Sequence, residues 1–374
     1  MMSSMYQGYA SAAFGLEGLV AAELRKYGYA QVRSENGGVR FEADMTGIFR
    51  LNLLSRFSDR IYLLMADVSC RTFEELYQAV LKVDWETFFP ENGAVNIACK
   101  CVRSTLMSPR DCQSVAKKAV LNRLRERAGL RVFPESGAPL PVQLSLRNDR
   151  LMILLNTSGD ALSRRGYRTW NGEAPLRETL AAALVDLSPW KPGMPLHDPC
   201  CGTGTLLIEA ALMAAGRAPG IYRSFAMERW KDMDSKGLQA LRQAESEKEQ
   251  PEAVLNISGS DLDPEALKLA ERHLRQARLP QHAVSLSCQP LQELHLDAED
   301  GVFICNPPYG ERLSDQKNCR KLYRDLHELR KRHPSWKLCA ISSDPAFERS
   351  YGGRADKKRR LYNGRLECVF YMYD

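Results

Sequence analysis

The chain has 374 residues, of which 44% are hydrophobic and 26% charged, and a net charge of +6. This length calls for two or three globular domains with sizeable cores. No run of about 18 apolar residues occurs, which excludes a membrane-spanning helix, and Met1-Met2-Ser3-Ser4-Met5 lacks the pattern of a signal peptide.

Residues 1–65 hold an amphipathic helix at 16–24 flanked by short strands, one of them at 38–42, and read as a small α+β module. Residues 66–157 carry a strand at 95–101 and then a segment dense in positive charge. Lys117, Lys118, Arg123, Arg125, Arg127 and Arg131 stand there against one acidic residue, Glu126. Ala116, Val120, Leu124 and Ala128 recur at every fourth position, which predicts a helix with one buried stripe and a basic outer face. That face reads either as a grip on RNA phosphates or as a solvated surface. Strands at 141–146 and 151–156 are joined at Asn148-Asp149 in a hairpin. The polar stretch 158–172 is expected to be a linker, and 173–374 a second domain.

In that domain a strand leads to Asp198, the small-residue loop Cys200-Cys201-Gly202-Thr203-Gly204, and a helical pattern at 206–213. The glycines let a ligand approach the backbone, and the helix N-terminus presents free N–H groups. The third glycine of a dinucleotide fingerprint is missing, which argues against NAD and FAD. A second strand-like run, 254–259, leads into Ser260-Asp261-Leu262-Asp263-Pro264. Asp263 reads as a helix N-cap. Asp261 reads as an acceptor for two ribose hydroxyls, with N-capping as its alternative.

The buried run 302–305 must stop at Asn306-Pro307-Pro308-Tyr309, because two prolines cannot continue a sheet ladder. The Asn306 amide and the Pro307 carbonyl then offer two acceptors to one amino group, and Tyr309 offers a stacking face. Taken alone, the tetrapeptide reads equally as a proline-rich turn with a half-buried Tyr. Asn363-Gly364 predicts a closing hairpin, so the sheet is not all parallel. Lys357-Lys358-Arg359-Arg360 are expected just before that hairpin, on the edge that carries the catalytic strand. Eleven cysteines, an odd number without an export signal, fit reduced thiols in a cytoplasm. Cys99/Cys101, Cys200/Cys201 and Cys288/Cys305 lack zinc-ligand spacing, and no metal is expected.

Asp198 with Gly202 and Gly204, then Asp261 and Asp263, then Asn306-Pro307-Pro308-Tyr309, resemble in that order the class I S-adenosylmethionine-dependent amino-methyltransferases. The stretches 164–168, 173–183 and 224–230 look like the THUMP-domain RNA methylases, which include the bacterial 23S rRNA guanine-N2-methyltransferases. Residues 104–119 are similar to the THUMP segment of that family. The resemblance implies an α/β fold: a Rossmann-like methyltransferase sheet with a reversed C-terminal β-hairpin, preceded by an α+β ferredoxin-like/THUMP RNA-binding region. It implies S-adenosylmethionine as cofactor and S-adenosylhomocysteine as product. Asp198, Cys200, Gly202, Thr203, Gly204, Asp261 and Asp263 would hold the cofactor, with Pro175, Glu178 and Thr179 at its methionine end.

Asn306, Pro307, Pro308 and Tyr309 would be catalytic. Lys117, Lys118, Arg123, Arg127, Lys357, Lys358 and Arg359 would meet RNA. The family's acidic reader of the adenine amino group is missing from 287–292, where Gln289 or Gln292 stands instead. The expected reaction is methylation of a guanosine N2 in 23S rRNA, free or in an assembling large ribosomal subunit, in the cytoplasm. A tRNA guanine-N2-methyltransferase, a DNA adenine-N6 methyltransferase and a non-catalytic RNA-binding adaptor are the alternatives.

Overall fold

The computed structural model describes residues 4–89, 92–129, 133–168, 176–254, 256–309 and 313–374. Its contacts divide the chain into two compact units. The first comprises Met1–Ala12, Val20–Leu162 and Arg223–Gln243, the second Ala13–Leu19, Ser163–Tyr222 and Ala244–Asp374. Among the described residues no helix is long and apolar enough to cross a membrane, and all eleven cysteines are free thiols.

The N-terminal part runs β1 (Tyr6–Ala12), α1 (Glu17–Lys26), β2 (Ala30–Glu35), β3 (Gly38–Ala43), α2 (Met45–Leu54), β4 (Ser58–Ser69), α3 (Phe73–Leu81), β5 (Ala94–Val102), α4 (Pro109–Ala128), β6 (Pro139–Arg147) and β7 (Arg150–Asn156). Its strands form one sheet in the order β2-β3-β1-β4-β7-β6-β5. The division expected at residue 65 falls inside β4, which pairs with β1 along one edge and β7 along the other. No glycine or proline interrupts β4 to signal a boundary. Only a register shift between Leu64 and Ala66 marks the place.

Ser108 caps α4 by accepting the Asp111 N–H, and Gly129, at φ 63, ends it. The buried stripe is Cys112, Ala116, Ala119, Val120 and Leu124. Ala128 is exposed, because the helix ends at the next residue. Asn148 and Asp149 take φ of 51 and 60, as a two-residue hairpin that matches the strand twist requires.

Residues 158–168, expected as a linker, are packed. The Ser158 hydroxyl accepts the Ile61 N–H at 2.8 Å, the Leu162 N–H donates to the Asp59 carbonyl at 2.7 Å, and Tyr167 is buried. The stretch 224–230, expected with the second domain, belongs by its contacts to the first unit. There Phe225 meets Phe49 edge-on at 5.7 Å, and Trp230 meets Phe88 at 5.7 Å.

The remainder runs α5 (Glu178–Leu187), β8 (Leu196–Asp198), α6 (Thr205–Ala214), α7 (Ser235–Ser246), β9 (Ile257–Asp261), α8 (Pro264–Gln276), β10 (Ser285–Cys288), β11 (Gly301–Cys305), α9 (Leu313–Arg332), β12 (Trp336–Ser342), α10 (Phe347–Tyr351), β13 (Lys357–Asn363) and β14 (Leu366–Tyr373). The second sheet has the order β10-β9-β8-β11-β12-β14-β13. β10, β9, β8, β11 and β12 are parallel, and β14 runs antiparallel to both its neighbours.

Asn363 pairs with Leu366, so the closing turn is Gly364-Arg365, one residue later than expected, with Gly364 at φ 67. Lys357 to Arg360 lie within β13 rather than before the hairpin. β12 and β14 stand between β13 and β11, so the two do not share an edge. Strand order reverses at β8, whose neighbours are β9 and β11. Open α/β sheets bind ligands at such a switch point, beyond the carboxyl ends of the strands.

Candidate active site

β8 ends on Asp198, which is 1% exposed and accepts the Cys200 N–H at 3.0 Å. Burial pushes its carboxyl well above the usual range. Gly202 (φ 50) and Gly204 (φ 78) both take the left-handed conformation, for different reasons. A Cβ on Gly202 would meet nothing within 4 Å, so its backbone faces open space. A Cβ on Gly204 would lie 3.2 Å from the Ala270 Cβ of α8. Gly202 therefore suits a ligand's approach, whereas Gly204 also lets the loop pack closely against α8. The Thr203 carbonyl bonds to His273 Nδ1 at 3.2 Å. Burial raises the thiols of both Cys200 and Cys201.

β9 ends on Asp261. Its Oδ2 accepts the Gly202 N–H at 2.8 Å, and its Oδ1 accepts the Asp263 N–H at 3.0 Å. The carboxylate thus ties together the loops after β8 and β9, and each oxygen retains a lone pair for a ligand. Asp263 caps α8 by accepting the Glu265 N–H at 2.9 Å, as expected of a cap. The Gln289 N–H donates to the Asp261 carbonyl at 3.2 Å, which sets Gln289 beside Asp261. Gln292 is drawn away to Asp325 at 2.8 Å, which leaves Gln289 as the better placed of the two.

β11 delivers Asn306-Pro307-Pro308-Tyr309 at its carboxyl end. The Tyr309 hydroxyl donates to Asn306 Oδ1, and the Pro308 carbonyl accepts from the Tyr323 hydroxyl at 3.0 Å. Burial raises the Tyr309 hydroxyl well above its ordinary value, which keeps it a phenol and a donor. One of the two expected acceptors is thus held by the loop's own tyrosine.

Pro175 lies outside the described residues. Glu178 is buried 3.7 Å from the Arg168 guanidinium, and burial pushes its carboxyl up. Arg168 also donates to the Leu176 carbonyl at 2.9 Å and to Thr205 Oγ1 at 2.5 Å. Thr179 is buried on the same helix. Glu209 accepts the Tyr167 hydroxyl at 2.9 Å and lies 3.6 Å from Arg165. Sequence reasoning singles out 164–168 but not this network, whose one signal is a glutamate in the otherwise apolar helix α6. It misses His197 too. The ring nitrogens of His197 lie 2.8 and 3.1 Å from the Ser258 and Ser260 hydroxyls, and burial lowers its pKa to about 4.

The basic residues are less available than expected. Arg123 is 14% exposed and pairs with Asp84 and, at 2.8 Å, with Glu86. Lys117 pairs with Glu135 at 3.0 Å and Arg127 with Glu86 at 3.2 Å. Lys118 is exposed and has no ion pair among the described residues. On β13, Lys357 pairs with Asp374 at 3.4 Å and Lys358 with Glu348 at 3.0 Å, while Arg359 donates to the Gly15 carbonyl at 3.0 Å. Carboxylates on neighbouring segments pair with Lys357, Lys358 and Arg360.

Residues 165–372 match the family model described as RMKL-like, methyltransferase domain. The chain belongs to this methyltransferase family. Residues 7–62 match an RlmL ferredoxin-like domain and 70–156 a THUMP domain. "Putative RNA methyltransferase YpsC" of Bacillus subtilis is 37% identical over 98% of this chain and 96% of its own length. "Ribosomal RNA large subunit methyltransferase K/L" of Shewanella frigidimarina is 33% identical over 99% of this chain, which spans 53% of that longer protein. The crystal structure of SMU.472, described as "a putative methyltransferase complexed with SAH", superposes with a TM-score of 0.93 at 36% identity. That match covers 100% of this chain and 98% of the other. The Rossmann-like sheet with its reversed hairpin and the ferredoxin-like/THUMP region are therefore as expected.

Proposed function

We propose that this enzyme methylates the N2 amine of a guanosine in 23S rRNA with S-adenosylmethionine, in the cytoplasm. The observation that carries the reading is the convergence of three features at the carboxyl ends of β8, β9 and β11. These are the open backbone at Gly202, the Asp261 carboxylate and the Asn306-Pro307 acceptors. The names of YpsC and of the K/L protein support RNA, and that of the K/L protein supports large-subunit rRNA, free or assembling. The SAH in SMU.472 supports the cofactor. When bound, the cofactor supplies an activated sulfonium methyl group.

Asp261 accepts hydrogen bonds from the ribose with its remaining lone pairs, and Gln289 faces the adenine. Guanine N2 is a weak nucleophile because its lone pair is delocalised into the ring. Asn306 Oδ1 and the Pro307 carbonyl accept its two hydrogens and aim that lone pair. The positive charge that grows on nitrogen then meets preformed dipoles. Tyr309 releases Asn306 as the amine arrives, and its ring stacks on the base. The proton leaves to water, and no thiol takes part. Asn306→Ala should leave cofactor affinity near normal while turnover on RNA falls roughly 10²-fold or more. Ordinary turnover in that variant would remove Asn306 from the role.

A further inference from the structure

The first unit holds Cys70, Cys99, Cys101 and Cys112, and the thiols of three of them, two on strand β5 and one on helix α4, gather at one place. The alternation of side chains along β5 puts Cys99 and Cys101 on one face. α4 packs over β5 and brings Cys112 to the same spot. The three Sγ atoms all lie within 4.8 Å of one another, with Cys99 and Cys101 at 3.7 Å.

Small thiols filling a gap between helix and strand need no such mutual approach. Sulfurs bound tetrahedrally at about 2.3 Å from zinc stand about 3.8 Å apart, close to the 3.7 Å between Cys99 and Cys101. We propose that Cys99, Cys101 and Cys112 form a three-thiolate zinc site that clamps α4 onto β5, the edge strand of its sheet. The fourth position is left to water. Residue spacing hides this site, because the third ligand sits on a different element from the Cys-x-Cys pair. Binding converts three thiols and one zinc ion into a zinc tris-thiolate and about three released protons.

The test uses the full chain, reduced and stripped with a chelator, and titrated with cadmium as a spectroscopic probe for zinc. A sulfur-to-cadmium charge-transfer band should saturate at one equivalent and be removed by competing zinc. Cys101→Ser and Cys112→Ser should each weaken binding by roughly 100-fold. Cys288→Ser, at an exposed cysteine of the other unit, should change nothing. Independently of any variant, zinc should protect Cys99, Cys101 and Cys112 from alkylation in the wild-type chain, as mapped by mass spectrometry. Absence of the band in the wild type, its survival in the Cys101/Cys112 double variant, or zinc protection that spares these three would overturn the proposal.

Discussion

Gly202 and Gly204 share a left-handed backbone, but only Gly202 has open space above it. An alanine at either position costs about 1–2 kcal/mol from the backbone alone, readable in denaturant unfolding. Gly204→Ala adds a clash with Ala270 but should leave S-adenosylmethionine affinity near normal. Gly202→Ala should weaken that affinity as well, and equal affinities in the two variants would contradict the distinction. Asp261→Ala removes the proposed ribose acceptors together with the tie to Gly202, and should weaken cofactor binding by about 2–4 kcal/mol. Unchanged binding in calorimetry would take Asp261 out of the site.

His197 carries a pH signature. Its folded pKa of about 4 lies below the ordinary 6.5, so the unfolded chain takes up the proton first. Its stabilising contribution is present above pH 6.5 and is lost as pH falls toward 4, by up to roughly 3 kcal/mol. His197→Gln should flatten the acid limb of a stability–pH profile, and an unchanged limb would assign it elsewhere. The strand ends before Asn306 and at Asp261 and the glycine turn after β8 were legible because prolines and glycines punctuate the chain locally. The partners of His197, Ser258 and Ser260, were not, because only strand pairing brings β9 beside β8.

At the scale of elements, α4 shows where pattern reading succeeds and where it stops. The four-residue recurrence predicted the helix and most of its buried stripe. It could not show that Arg123 reaches back to Asp84 and Glu86, since nothing local connects them. Arg123→Ala should therefore destabilise the fold by about 1 kcal/mol, seen as a lower denaturation midpoint. Lys118→Glu should leave that midpoint unchanged and lower the log–log salt slope of RNA binding by roughly 0.7–0.9 per phosphate no longer neutralised. An RNA slope that responds to neither change would mark the outer face of α4 as a merely solvated surface.

At the scale of the whole molecule, the order of parts was readable, but two structural features near their edges were not. β4 serves both halves of the first sheet, so no linker announces a boundary there. Residues 224–230 carry Phe225, Met227 and Trp230, whose apolar surface is buried in the first unit although the chain before 223 and after 243 belongs to the second. Both departures arise from long-range burial, to which periodicity is blind. The proposed reaction is a claim at this same scale, and nucleoside mass spectrometry tests it most directly. The measurement compares 23S rRNA and tRNA from cells lacking the protein with the same RNAs after complementation. N2-methylguanosine should fall in 23S rRNA alone, return with the wild-type chain, and stay absent with Asn306→Ala. An unchanged 23S rRNA, with the missing methyl group in tRNA or on adenosine, would contradict the account.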